Sequence, residues 1–66
     1  MKITTDFIRL DAFLKLCDLV SSGGEAKVVI QSGLVSVNGE VCTMRGKKLR
    51  ENDEIVYKNN KIKVEK

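Results

Sequence analysis

The sequence predicts an α+β domain in which two packed N-terminal helices precede a small, mostly antiparallel β-sheet. Three observations lead to it. Apolar residues recur at helical spacing through the first half of the chain and at spacing two after Gly33. The punctuation between these segments is glycine, serine and asparagine, with no proline anywhere. Helices and strands are segregated along the chain, the arrangement expected of an α+β layer structure. At 66 residues, with no low-complexity tract or internal repeat, the whole chain 1–66 reads as one domain with one economical core.

Residues 7–20 read as the first helix. Leu10, Phe13, Leu14 and Cys17 share a face, while Arg9, Asp11, Lys15 and Asp18 take the remaining positions, with Thr5 or Asp6 as the cap. Ser21-Ser22-Gly23-Gly24 interrupts it. Ser22 followed by Glu25 has capping-box spacing, in which hydroxyl and carboxylate satisfy reciprocal backbone donors. Ala26, Val29 and Ile30 form the buried face of the second helix, and Gly33 ends it in the left-handed conformation. Val35 and Val37 then alternate with Ser36, and Asn38-Gly39 gives a type I′ hairpin signal before Val41. A basic connection, Met44 to Lys48, precedes Leu49; Ile55-Val56-Tyr57 is the next strand, Asn59-Asn60 a turn, and Ile62 and Val64 mark a last strand.

Charge is localised. The net charge is +3, yet residues 1–20 and 51–66 are each neutral. The excess lies in residues 21–50, where Lys27, Arg45, Lys47, Lys48 and Arg50 face only Glu25 and Glu40. Such a cluster points to a polyanionic partner. Catalysis is not expected: the chain has no histidine, and no nucleophile–base pair is visible. Cys17 and Cys42 lack metal-ligand spacing and read as structural thiols, so no metal or other cofactor is expected. No apolar run exceeds three residues, which excludes a membrane span and a secretory signal and suggests a cytoplasmic protein.

Two candidate phosphate sites follow from the residues. At the start of the second helix, Ser22, Gly23 and Gly24 allow backbone amides to approach an anion, and Lys27 adds charge one turn on. The same glycines also suit a tight interhelical turn, and Glu25 competes for those donors. The second site is Arg45-Gly46-Lys47-Lys48 with Arg50 nearby, whose cations can neutralise phosphates and release counterions. Its alternative is a solvated loop. Phe7 and Phe13 are assigned to the core and Tyr57 is the exposed ring, so recognition by phosphate position and RNA shape is expected over base stacking.

Arg9-Leu10-Asp11 with Leu14, then Ser22, Ala26, Ile30, Gly33, Val35 and Val37-Asn38-Gly39, and finally Asn52-Asp53-Glu54-Ile55, resemble the S-four RNA-binding domain. Phe13-Leu14-Lys15-Leu16, Ser22 to Lys27 and Arg45 to Leu49 are similar to its stand-alone YaaA/YbcJ-like subgroup. The resemblance implies an S-four-like fold (the alpha-L motif) and binding of structured RNA, ribosomal RNA or a ribosomal subunit included, by a monomer. It also implies RNA contact by Arg9, whose alternative is an ion pair with Asp6 or Asp11. Gly23 stands where the family usually has an RNA-contacting arginine, and Asn52 where it has a turn glycine. The candidate RNA-binding residues are therefore Arg9, Ser22, Gly23, Gly24, Lys27, Arg45, Lys47 and Lys48. The competing function is a protein-interaction adaptor that retains the fold with weak RNA affinity.

Overall fold

A computed structural model describes residues 2–66. Its elements run β1 (Ile8–Arg9), α1 (Leu10–Leu16), α2 (Gly23–Gln31), β2 (Val35–Val37), β3 (Glu40–Val41), β4 (Lys48–Leu49), β5 (Glu54–Tyr57) and β6 (Asn60–Lys63). The helices pack on each other. Four strands form an antiparallel sheet in the order β3-β2-β5-β6, and β1 pairs separately with β4, also antiparallel. The expected α+β class is the class observed, with a two-residue strand, β1, preceding the helices.

Period-two patterning builds the sheet side of the core. Val35 and Val37 of β2 stand opposite Tyr57 and Ile55 of β5, so four inward side chains meet in two cross-strand pairs. Leu10, Phe13 and Leu14 of α1 and Ala26, Val29 and Ile30 of α2 supply the other side, and Leu49 of β4 joins them. Full burial of each such aliphatic side chain contributes roughly 1.5–3 kcal/mol.

The first helix is much shorter than residues 7–20. Its early stop is a Schellman motif: Asp18 adopts φ 59°, its N–H donates to Lys15 O, and the Leu19 N–H donates to Leu14 O. Aspartate tolerates this left-handed conformation, so Leu19 and Val20 reach the core from a loop although they extend the helical apolar pattern. The N-terminal end also differs. Ile8 and Arg9 are claimed by pairing with β4, and Arg9 occupies the N-cap position with no side-chain cap. Thr5 serves elsewhere, donating its hydroxyl to Phe7 O at 2.6 Å. Cys17 follows the helix and packs half-buried against the core, where burial pushes its thiol pKa up.

The second helix ends as expected. Gly33 has φ +79°, and the N–H groups of Gly33 and Leu34 donate to Ile30 O and Val29 O in a second Schellman motif. Asn38 and Gly39 both take positive φ, as a type I′ turn requires, and β2 and β3 pair across them. The later turn is displaced by one residue from Asn59-Asn60: Tyr57 pairs with Asn60, leaving Lys58 and Asn59 to turn, and Lys58 takes the positive φ. The regular part of the last strand stops at Lys63, although buried Val64 continues its alternation.

Phe13 is buried as expected, but the other two ring assignments are reversed. Tyr57 is only 4% exposed because it lies inward on β5, whereas Phe7 is 39% exposed, just outside β1. The terminal segments meet: Ile3 N–H donates to Glu65 O at 2.7 Å, and Lys66 Nζ lies 2.6 Å from an Asp6 carboxylate oxygen.

Asn52, in the position of the expected turn glycine, has φ 76°. Replacing it by alanine should destabilise the fold by about 1–2 kcal/mol, since a side chain lacking asparagine's local hydrogen bonding is strained there. Asn52→Gly should stay within a few tenths of a kcal/mol of the parent, by the opposing effects of relief and chain entropy (about 0.5–1 kcal/mol each). Urea denaturation of the three proteins measures the difference.

Candidate nucleic-acid interface

A helix begins with backbone donors that have no intrahelical acceptor. In α1, two are satisfied by the basic connection itself. Leu10 N–H donates to Lys47 O at 2.8 Å and Asp11 N–H to Arg45 O at 3.1 Å, while Ala12 N–H donates to the Asp11 carboxylate. The connection is therefore fastened over the start of α1 by its carbonyls. Arg45, Lys47 and Lys48 all remain exposed. A turn closed by Lys47 N–H to Met44 O shapes it, and its last cation, Lys48, lies within β4 opposite Arg9.

Arg9 stands where the elements converge. Its guanidinium pairs with Asp11 at 3.3 Å, which realises the expected ion pair with one of its two candidate acids. It also lies against Gly46, where an added Cβ would come within 3.7 Å of Nη2. That is ordinary van der Waals distance, so the close approach does not itself require glycine at 46. Arg9 and Asp11 then line an open groove of about 250 Å³ with Ala12, Lys15 and Gly23. The sequence reasoning missed Lys15, treating it as a solvent-facing helix position. Its signal was spacing, since it follows Asp11 by one turn.

At the start of α2, Ser22 accepts the Glu25 N–H at 3.1 Å, as the capping box requires. The reciprocal bond is shifted by one residue: Glu25 Oε1 accepts from the backbone N–H of Ser21 at 2.7 Å and from its hydroxyl at 2.9 Å. These donors hold the carboxyl below its ordinary range, the backbone N–H contributing most. Glu25 thus turns back to Ser21 and away from the first-turn amides for which it was expected to compete. Ala26 N–H donates to Ser22 O, which leaves the amides of Gly23 and Gly24 to acceptors outside the helix.

Neither of those glycines has a positive φ, and an added Cβ at Gly23 would meet nothing within 4 Å. A tight turn therefore does not require glycine at 23, and the space beside it in the groove is open. The structure brings together Arg9, Gly23 and the Arg45–Lys48 segment, through Gly46 and the shared groove. Ser22 and Gly24 adjoin Gly23, whereas Lys27 lies one turn along α2 and does not line the groove.

A larger hollow of about 400 Å³ lies on another side of the connection, between Val37, Asn38, Glu40, Cys42, Met44, Lys47 and Asp53. It is less suited to an anion, because Glu40 and Asp53 oppose Lys47. Asp53 and Asn38 also have internal duties there: Asp53 accepts from Asn38 Nδ2 and Arg50 N–H, and Asn38 Oδ1 accepts from Glu54 N–H. Among the described residues, no group of three acidic, cysteine or histidine side chains is placed to hold a metal, and no helix is long and apolar enough to cross a membrane.

The fold and the convergence of its N-terminal helices with a returning strand define a protein class. The family model of the S4 domain matches residues 1–65, and the chain belongs to that family. A curated relative is the probable ribosome maturation protein RlbA of Bacillus subtilis (strain 168). It is 42% identical over 55 residues, which cover 83% of this chain and 78% of the relative.

The Glu25 cap gives a pH-dependent signature. A carboxyl with a lowered folded pKa contributes stability that is present above its unfolded value and lost as pH falls through the folded one. Glu25→Gln should lower the melting temperature near pH 7, and the two proteins should converge as pH falls through the lowered folded-state pKa and the parent carboxyl takes up its proton. Thermal melts across that range provide the check.

Proposed function

We propose that this chain is an RNA-binding module that recognises structured RNA, a stem or junction, mainly through phosphate contacts, in a ribosome-related process. The carrying observation is the fastening of the Arg45–Lys48 segment over the start of α1 by two backbone hydrogen bonds, beside Arg9 and the groove at Gly23. Membership of the S4 domain family and a relative named for ribosome maturation support the same reading.

The chemistry follows from the placement. Arg45, Lys47 and Lys48 are exposed on a short connection that two of its carbonyls fasten to α1, so their side chains can reach phosphate oxygens. Arg9 offers a planar fork suited to a single phosphate. The Gly23 and Gly24 amides supply neutral donors at the start of α2, with Ser22 fixing the first turn. Lys27 adds longer-range attraction. Each cation–phosphate contact releases condensed counterions, and an RNA helix presents its phosphates in a fixed spatial pattern. The module acts as a monomer on RNA and performs no chemistry on it.

A second reading is a protein-interaction adaptor. Its favouring observation is three exposed apolar residues, Val28 on α2, Leu34 just beyond it and Val41 on the edge strand β3. A partner that stays bound after nuclease treatment and is lost in Leu34→Ser would support it.

Binding to a structured RNA should weaken steeply as salt rises. Replacing Lys47 and Lys48 by alanine should flatten the slope of log K against log salt by roughly 0.7–0.9 for each lost contact. Because both side chains are exposed, the melting temperature should change little. Fluorescence anisotropy over a salt series reads the slope, and an unchanged slope removes these two lysines from the interface.

A further inference from the structure

The two-stranded ribbon of β1 and β4 has two faces. Ile8 pairs with Leu49, which is fully buried, and Arg9 pairs with Lys48. Alternation turns Phe7 and Arg9 to the side opposite Ile8, and Lys48 and Arg50 to the side opposite Leu49. Continuing the register by one residue sets Phe7 against Arg50. The distances agree: Lys48 Nζ stands over the Phe7 ring at 4.9 Å from its centroid and Arg50 Cζ at 5.9 Å, so both cations rest on the ring in the unbound protein and a stacked base would send them to its flanking phosphates. The outer face of the ribbon therefore carries three cations and one partly exposed aromatic ring.

The ring is also held in place. Thr5 donates to the Phe7 carbonyl, Asp6 pairs with Lys66, and Ile3 is bonded to Glu65, so the segment before β1 is fastened at several points. An aromatic group presented among cations on a fixed backbone is the combination used to bind unpaired nucleotides, with the base on the ring and the phosphates on the cations. A fully paired stem offers no free base face to such a ring.

We propose that Phe7 is a stacking platform for one unpaired nucleobase, with Lys48 and Arg50 on the phosphates that flank it. The preferred RNA is then a stem that carries a bulged or overhanging nucleotide. This deepens the RNA-binding reading above and rests on it. Stacking supplements the phosphate contacts and lets the module distinguish an imperfect stem from a perfect one.

The test compares a short blunt RNA duplex with the same duplex carrying one bulged adenosine, using the full chain as wild type, Phe7→Leu and Phe7→Tyr. Wild type should bind the bulged duplex more tightly by about five- to a hundredfold, the range of one base–aromatic stack. Phe7→Tyr keeps a ring and should retain the preference. Phe7→Leu should reduce the ratio of the two affinities to about one, the value expected when the stack is lost. Melting curves establish that both variants fold, and the retained preference of Phe7→Tyr separates loss of the ring from general disruption. Equal binding of both duplexes by wild type would leave the phosphate reading standing and overturn the stacking platform. A preference unchanged in Phe7→Leu would also overturn it, leaving the exposed ring to support Lys48 alone or to meet a protein. Failure of wild type to bind either duplex at low salt would remove the RNA-binding reading and this proposal together.

Discussion

The candidate interface depends on how the start of α1 is capped. A seven-residue helix is too short to persist without tertiary support, and its first donors need acceptors. Here they are carbonyls of Arg45 and Lys47, residues more than 30 positions away in sequence. Each such bond contributes only about 0.5–1.5 kcal/mol net. Their consequence for geometry is larger: the same contacts that complete the helix fix the path of the most basic segment of the chain. The buried Leu49 anchors one end of that segment, and pairing of β1 with β4 aligns its last cation with Arg9. Stability and presentation of charge therefore share one set of bonds.

This arrangement also explains how so small a domain can offer an interface without an enclosed pocket. Its core uses most of the large apolar residues from α1, α2, β2 and β5, leaving Leu16 and Val28 exposed. What remains for recognition is the outside of turns and strand ribbons, where cations and backbone donors cost little to display. An open groove lies between Arg9, Lys15 and Gly23, with free space beside Gly23. In the resemblance to the S-four domain, that position usually carries an arginine. This chain has no long cation at that position, while Lys15 and Arg9 line the same groove.

Most of the fold was legible because period and turn chemistry agreed. Gly33 ended α2, Asn38-Gly39 made the hairpin, and Asn52 took the left-handed conformation expected from the glycine it replaces. The failures were at places where tertiary pairing or an ambiguous residue decided. Asp18 ended α1 early, yet Leu19 and Val20 carried the apolar pattern beyond it, so local period concealed the stop. Ile8 and Arg9 form a two-residue strand whose partner lies about 40 positions away, a signal too short for alternation to reveal. That unseen strand also displaced Phe7 from the presumed helix face to the surface. Composition located the cations of the candidate site, whereas the pairing that sets Arg9 beside Lys48 was visible only in three dimensions.

Asp11 is the one acid placed directly on the Arg9 guanidinium, and its role follows from magnitude. An exposed ion pair of this kind is worth about 0–1 kcal/mol, and the Arg9 side chain is 54% exposed. A phosphate carries the same charge as Asp11 but arrives with neighbours, so several cations can engage it together. The carboxylate is also committed elsewhere, since its other oxygen accepts the Ala12 N–H. Asp11 thus pairs with Arg9 beside the groove too weakly to exclude a polyanion. The small free energy of the contact makes exchange for a phosphate inexpensive. Charge neutrality in residues 1–20 is therefore compatible with a nucleic-acid role: the acid there pairs weakly with a cation that the sum alone would have counted as cancelled.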